Sequence, residues 1–193
     1  MSAIRFEAKL FKIDSYVVAK LPKEASAKLP SRGMVMVNGT INDFPFQTAL
    51  EPDGRGSHWF KVDEKMLKDA KANVGDIVKL EIEPTKDWPE PKIPEDLKVA
   101  LSADSKANTL WMNVTPIARW DWIRWIGSTK NPETRKHRIE VELSKLRKGE
   151  KRPCCFNRSM CTDPYVSSNG VLLEPTSSGQ RQTLSSRRPT QAQ

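Results

Sequence analysis

The sequence predicts an α+β chain: a small closed β-barrel of about six strands with pseudo-twofold symmetry, then a small helical domain and a disordered tail. Three observations lead there. Hydrophobic residues alternate with period two in the first part and recur at helical spacing in the second. A strand–helix–strand element occurs twice in the first part. A proline-rich run, Trp88-Pro89-Glu90-Pro91-Lys92-Ile93-Pro94, separates the two patterns and fits neither a regular helix nor a central strand. The expected division is therefore a barrel over 1–87, a stiff connector over 88–94, a helical domain over 95–174 and a basic tail over 175–193.

Ile4, Phe6, Ala8 and Leu10 alternate with Arg5, Glu7 and Lys9, as in a half-buried strand. Tyr16–Ala19 is a second strand and Gly33–Ile41 a third, apolar on both faces. Asn42-Asp43 makes a turn into a strand lined by Phe44, Phe46, Thr48 and Leu50. Pro45 removes a ladder donor there, which predicts an edge or a bulge. Pro52-Asp53-Gly54-Arg55-Gly56 is a turn cluster before His58–Val62, and Ile77–Glu83 completes the set. The doubled elements run from Leu21 to Gly33 and from Val62 to Gly75; Asp63 can cap the second short helix. Such a doubling closes naturally into a barrel without free edges.

In the second part, Glu95–Ala103 and Ser105–Asn113 read as short helices, and Thr115-Pro116 starts a third. Ile117, Ala118, Trp120, Trp122, Ile123, Trp125 and Ile126 ring that helix, so it should form the centre of the second core. Asn131-Pro132 starts the last helix and Gly149 stops it, with Ile139, Leu143 and Leu146 as its buried stripe. Arg138, Lys145 and Lys148 share the opposite side with no acid in that sector, while Glu142 lies four residues after Arg138 and should pair with it. From Pro175 onward, Ser, Thr, Gln and Arg show no hydrophobic periodicity.

Several of these residues resemble known families. The Gly-Asp turn between a short helix and a strand is similar to that of AbrB-like and MazE-like swapped-hairpin barrels. Val18-Ala19-Lys20-Leu21-Pro22, Gly56-Ser57-His58-Trp59-Phe60 and Trp88-Pro89-Glu90-Pro91 resemble a bacterial domain of unknown function built on a double-split barrel. Ala118-Arg119-Trp120-Asp121-Trp122-Ile123-Arg124-Trp125-Ile126 through Arg152-Pro153-Cys154-Cys155-Phe156 resembles the segment named for bacteriocin protection, YdeI or OmpD-associated. The resemblance implies a role in bacterial stress or peptide resistance and implies no chemistry.

Charge narrows the choice of partners. Residues 1–100 carry 16 basic and 16 acidic side chains, so the formal charge of +8 lies wholly in the second half. That asymmetry suits a polyanion, either nucleic acid or an anionic membrane surface, and leaves a protein partner open. The basic residues such a contact would use are Arg119, Arg124, Arg135, Arg138, Lys145, Arg147, Lys148, Lys151 and Arg152. No run approaches the roughly 18 apolar residues of a membrane helix. The N-terminal residues carry no apolar signal core, and three cysteines within eight residues do not make a disulfide framework, so the cytoplasm is the expected compartment. A metal would have to use Cys154, Cys155, Cys161 and His137, at a spacing unlike that of zinc ribbons, and no cofactor is expected. Gly54-Arg55-Gly56-Ser57-His58 joins two strands and opens no helix, so it reads as a hairpin turn and His58 as a structural histidine. Asp121, Glu140 and Glu142 stand apart from any acid–base partner, and the chain is expected not to be an enzyme. Two readings follow: a non-enzymatic bacterial binding protein linked to bacteriocin or antimicrobial-peptide stress, or an AbrB-like nucleic-acid-binding regulator working through the basic half.

Overall fold

The computed structural model describes residues 3–154 and 157–175; Cys155 and the predicted tail beyond residue 175 lie outside them. Six strands, β1 (Ile4–Ile13), β2 (Tyr16–Lys20), β3 (Val35–Ile41), β4 (Phe44–Pro52), β5 (His58–Val62) and β6 (Ile77–Pro84), close into an antiparallel barrel of order β1-β2-β5-β4-β3-β6. The short helices α1 (Lys23–Ser26) and α2 (Glu64–Asp69) sit between β2 and β3 and between β5 and β6. Exchanging β1 with β4, β2 with β5 and β3 with β6 returns the same neighbour pairs, so the doubled sequence element is a topological twofold. The long strands carry the split. β1 pairs with β6 over Ile4–Lys9 and with β2 over Leu10–Ile13, while β4 pairs with β3 over Phe44–Leu50 and with β5 only at Glu51 and Pro52.

Pro45 fits this scheme. Along 44–50 strand β4 has β3 as its sole ladder partner, leaving an open side on which a missing N–H costs no bond. Asn42 and Asp43 both take positive φ, the geometry of the tight two-residue turn that the sequence places there. Leu10, Ala19, Val37, Ile41, Leu50, Phe60, Val78 and Ile82 fill the barrel.

Four helices follow: α3 (Glu95–Ser102), α4 (Ser105–Met112), α5 (Pro116–Gly127) and α6 (Pro132–Arg147). Asp104 caps α4 through Ala107 N–H and Asn131 caps α6 through Thr134 N–H. Trp122 and Ile126 of α5 are fully buried beside Trp111, Leu97 and Leu146, so the tryptophan-rich helix is central to the second core. Among the described residues no helix is long and apolar enough to cross a membrane.

The chain then returns to the barrel. Strands β7 (Ser167–Ser168) and β8 (Val171–Leu172) form a minimal hairpin whose turn residues, Asn169 and Gly170, have positive φ. Cys161, Val166 and Leu172 pack on Ile13, Val18 and Trp59, forming a third cluster on the barrel's outside. Leu172 N–H donates to Asp53 O at 2.9 Å. The approach is close enough that a Cβ on Gly54 would lie 2.1 Å from Gly170 O. Residues 161–172 thus act as a clasp on the barrel, although the sequence division groups them with the helices.

Candidate ligand cleft

The end of α5 and the clasp face each other across a cleft of about 440 Å³. One wall comes from helices. Trp125 and Ser128 close α5, and Arg138 reaches across from α6 to satisfy its last turn. Arg138 Nη1 donates to Trp125 O and to Ser128 Oγ, both at 2.7 Å, and the guanidinium lies 5.5 Å from the Trp125 ring centroid. The other wall is the clasp, with Cys161, Thr162, Pro164, Ser167, Asn169 and Gly170, together with Asn157 and Met160 just before it. Among the described residues Arg138 is the one charged member of the lining, and no carboxylate belongs to it. Burial pulls the guanidinium below its ordinary range, with no carboxylate among the described residues in ion-pair contact. The predicted pair with Glu142 is not made. Glu142 is fully buried with neither carboxyl oxygen hydrogen-bonded, because Arg138 turns instead to the carbonyl end of α5.

Most of the other basic residues are engaged within the molecule. Arg119 is buried, paired with Glu90, and donates to Met112 O and Val114 O. Arg124 is buried between Glu51 (3.7 Å), Asp121 (4.0 Å) and Thr162 Oγ1 (3.2 Å). Arg135 grips Asp96 with Nε and Nη2 at 2.6 and 2.9 Å. Lys145 reaches Glu150 at 2.8 Å, which corrects the expectation of an uncancelled stripe, since Glu150 folds back after the Gly149 stop. Arg147 meets Asp104 at 3.3 Å and Arg152 meets Asp121 at 3.5 Å. Lys148 and Lys151 are exposed.

Asp121 is surrounded by guanidinium groups. It is buried on α5 with Arg158, Arg152 and Arg124 at 3.3, 3.5 and 4.0 Å. Burial raises its carboxyl above the usual range, against the pull of those three guanidinia. Through Arg124 and Glu51 the cluster ties α5 to the barrel.

Ser26 Oγ and His58 Nδ1 stand 2.7 Å apart, the distance of a nucleophile–base pair. His58 Nε2 is 2.8 Å from Gly33 O, so Nε2 carries the proton and Ser26 donates to Nδ1. Burial lowers the His58 pKa, which keeps the ring neutral. Both residues are buried, so no substrate atom can reach Ser26 Oγ. The pair joins α1 to β5.

The cysteines are separated by exposure. Cys154 is exposed, whereas Cys161 is buried in the clasp with its thiol pushed up to about 11, by burial and then by Glu51. His137 is exposed on α6, 4.0 Å from Glu140. Among the described residues no three His, Cys, Asp or Glu side chains converge on a metal-sized site.

These two bodies are also distinct in their relatives. Residues 90–149 match the OmdA family model. It is described as bacteriocin-protection, YdeI or OmpD-associated, and the match covers α3 to α6. Residues 6–82 match a second family, DUF1905, a domain of unknown function, over the barrel. No curated protein matches the chain. Trp125, Ser128 and Arg138 fall inside the OmdA match, and the clasp falls outside both. Of the OmdA wall, only Arg138 stood out in the sequence, as a basic residue of the last helix. The clasp wall did not, although Asn169-Gly170 is the dipeptide that favours a tight hairpin.

Proposed function

We propose that this chain is a non-enzymatic bacterial binding protein that contributes to protection against bacteriocins or related antimicrobial peptides, and that the cleft beside Arg138 holds its ligand. One observation carries the reading: the segment matching the bacteriocin-protection family supplies the cleft's cation and its aromatic wall. A volume of about 440 Å³ suits a small molecule or a short peptide end. The non-enzymatic reading is supported by two sets of side chains. Cys161 is held as a thiol, and the Ser26–His58 pair is sealed from solvent. The nucleic-acid alternative has less support, because six of its nine phosphate candidates are spent on carboxylates.

The test is survival of the host bacterium under bacteriocin challenge after deletion of this gene. Complementation with the parent chain should restore resistance. An Asn157→Trp chain, filling the cleft from an exposed position, should accumulate normally and fail to restore it. A deletion strain as resistant as its parent would overturn the proposal.

A further inference from the structure

We infer that the cleft is an oxyanion site, in which the free edge of Arg138 grips a carboxylate or phosphate group of the ligand. The inference deepens the proposed function and rests on its reading of the cleft as the binding site.

The guanidinium is already oriented. Nη1 is held by two acceptors at 2.7 Å, which fixes the plane and removes most of the side chain's rotamer freedom before any ligand arrives. Nε and Nη2 make no hydrogen bond among the described residues. These are the two nitrogens that this same protein uses elsewhere to hold a carboxylate. Arg5 grips Glu81 with Nε and Nη2 at 2.8 and 3.2 Å, and Arg135 grips Asp96 with the same pair at 2.6 and 2.9 Å. Arg138 lines the cleft, and among the described residues no internal carboxylate occupies its fork.

The surroundings agree with an anion. A partly buried cation without a counter-charge is costly, and an entering oxyanion would relieve that cost. The amides of Asn157 and Asn169 add side-chain donors on the opposite wall. Trp125, Met160 and Pro164 offer apolar surface for the rest of a ligand, since the cleft is larger than an oxyanion alone needs. The competing explanation is that Arg138 serves only to cap α5.

The experiment is a titration of the full ¹⁵N-labelled chain with sodium acetate and, separately, sodium phosphate, at ionic strength held constant with sodium chloride. The Arg138 Nε–H and Trp125 indole resonances should shift saturably. A stronger response to acetate assigns a carboxylate ligand, and a stronger response to phosphate assigns a phosphate. Arg138→Lys keeps the charge but loses the fork and should weaken binding at least about tenfold. Arg135→Gln, whose fork is internally occupied, should leave the cleft's response unchanged. The inference is overturned if neither oxyanion moves Arg138 Nε–H more than chloride does, which the parent chain alone decides. It is equally overturned if the saturable shift persists in Arg138→Gln. Failure of Asn157→Trp in cells beside a flat oxyanion titration removes this inference and keeps the proposed function. Arg138-dependent oxyanion binding beside unchanged resistance on deletion does the reverse.

Discussion

Glu142 sits on α6 between Ile139 and Leu146, fully buried, with both carboxyl oxygens lacking a hydrogen-bond partner. Burial pushes its pKa from an ordinary 4.5 up to about 8. The folded chain therefore holds a proton that the unfolded chain releases across that window. Stability contributed by this group is fully present at the acid end, falls as pH rises, and levels off above about 8. A shift of that size corresponds to an upper bound on the order of 4–5 kcal/mol between the two ends. Replacing Glu142 with Gln removes the titration. Urea midpoints measured at pH 6 and pH 9 should fall less for Glu142→Gln than for the parent, and equal falls would show that the carboxyl is not buried as described. Nothing in the sequence marks Glu142 out. It occupies an ordinary i+4 position after Arg138, and only the turn of Arg138 toward the end of α5 strands it.

Elements were more legible than individual side chains. Alternation and short apolar runs between turn residues locate the six barrel strands, and Asn131 marks the start of α6 because an unpaired N–H there needs an acceptor. The burial of Arg119, Asp121 and Arg124 in the tryptophan-rich helix was not legible. Helical spacing turns polar residues toward water by default, and their partners Glu90, Glu51, Arg152 and Arg158 lie far away in sequence. One further contact between elements decides a test. A Cβ on Gly39 of β3 would lie 2.4 Å from Glu81 O and 2.9 Å from Ile82 of β6, so the two strands approach too closely for a side chain. At Gly33 the nearest atom would be 3.5 Å away. Gly39→Ala should cost about 1–3 kcal/mol by forcing β3 from β6, and Gly33→Ala should stay within about 0.5 kcal/mol of the parent. Thermal melts of the two variants decide it; equal melting temperatures would contradict the barrel's closure at β3–β6.

At the scale of the whole molecule, the helices are held at both ends. Trp88 and Glu90 of the connector meet Trp120 and Arg119 of α5, and the clasp returns to Trp59. Opening the clasp should therefore uncover Cys161 without dissolving the barrel, whose interior is a separate cluster. In a Cys154→Ser, Cys155→Ser background, a thiol reagent should label Cys161 slowly under native conditions. Leu172→Asp, which puts a charge against Trp59, should raise that rate at least about tenfold while the circular dichroism of the barrel persists. Equal labelling rates would mean that residues 161–172 are not docked.

The clasp also sets an order of events during synthesis. Trp59 leaves the ribosome long before Val166 and Leu172, the residues that cover it. At about 5–20 residues per second, the interval lasts several seconds or more. The barrel interior can close in that time, but its outer face around Ile13, Val18 and Trp59 stays bare until Val166 and Leu172 emerge. A nascent chain of this protein therefore displays a sticky aromatic patch on an otherwise finished domain, and translational pausing within the helical half would prolong the period in which a chaperone, or a neighbouring chain, can seize it.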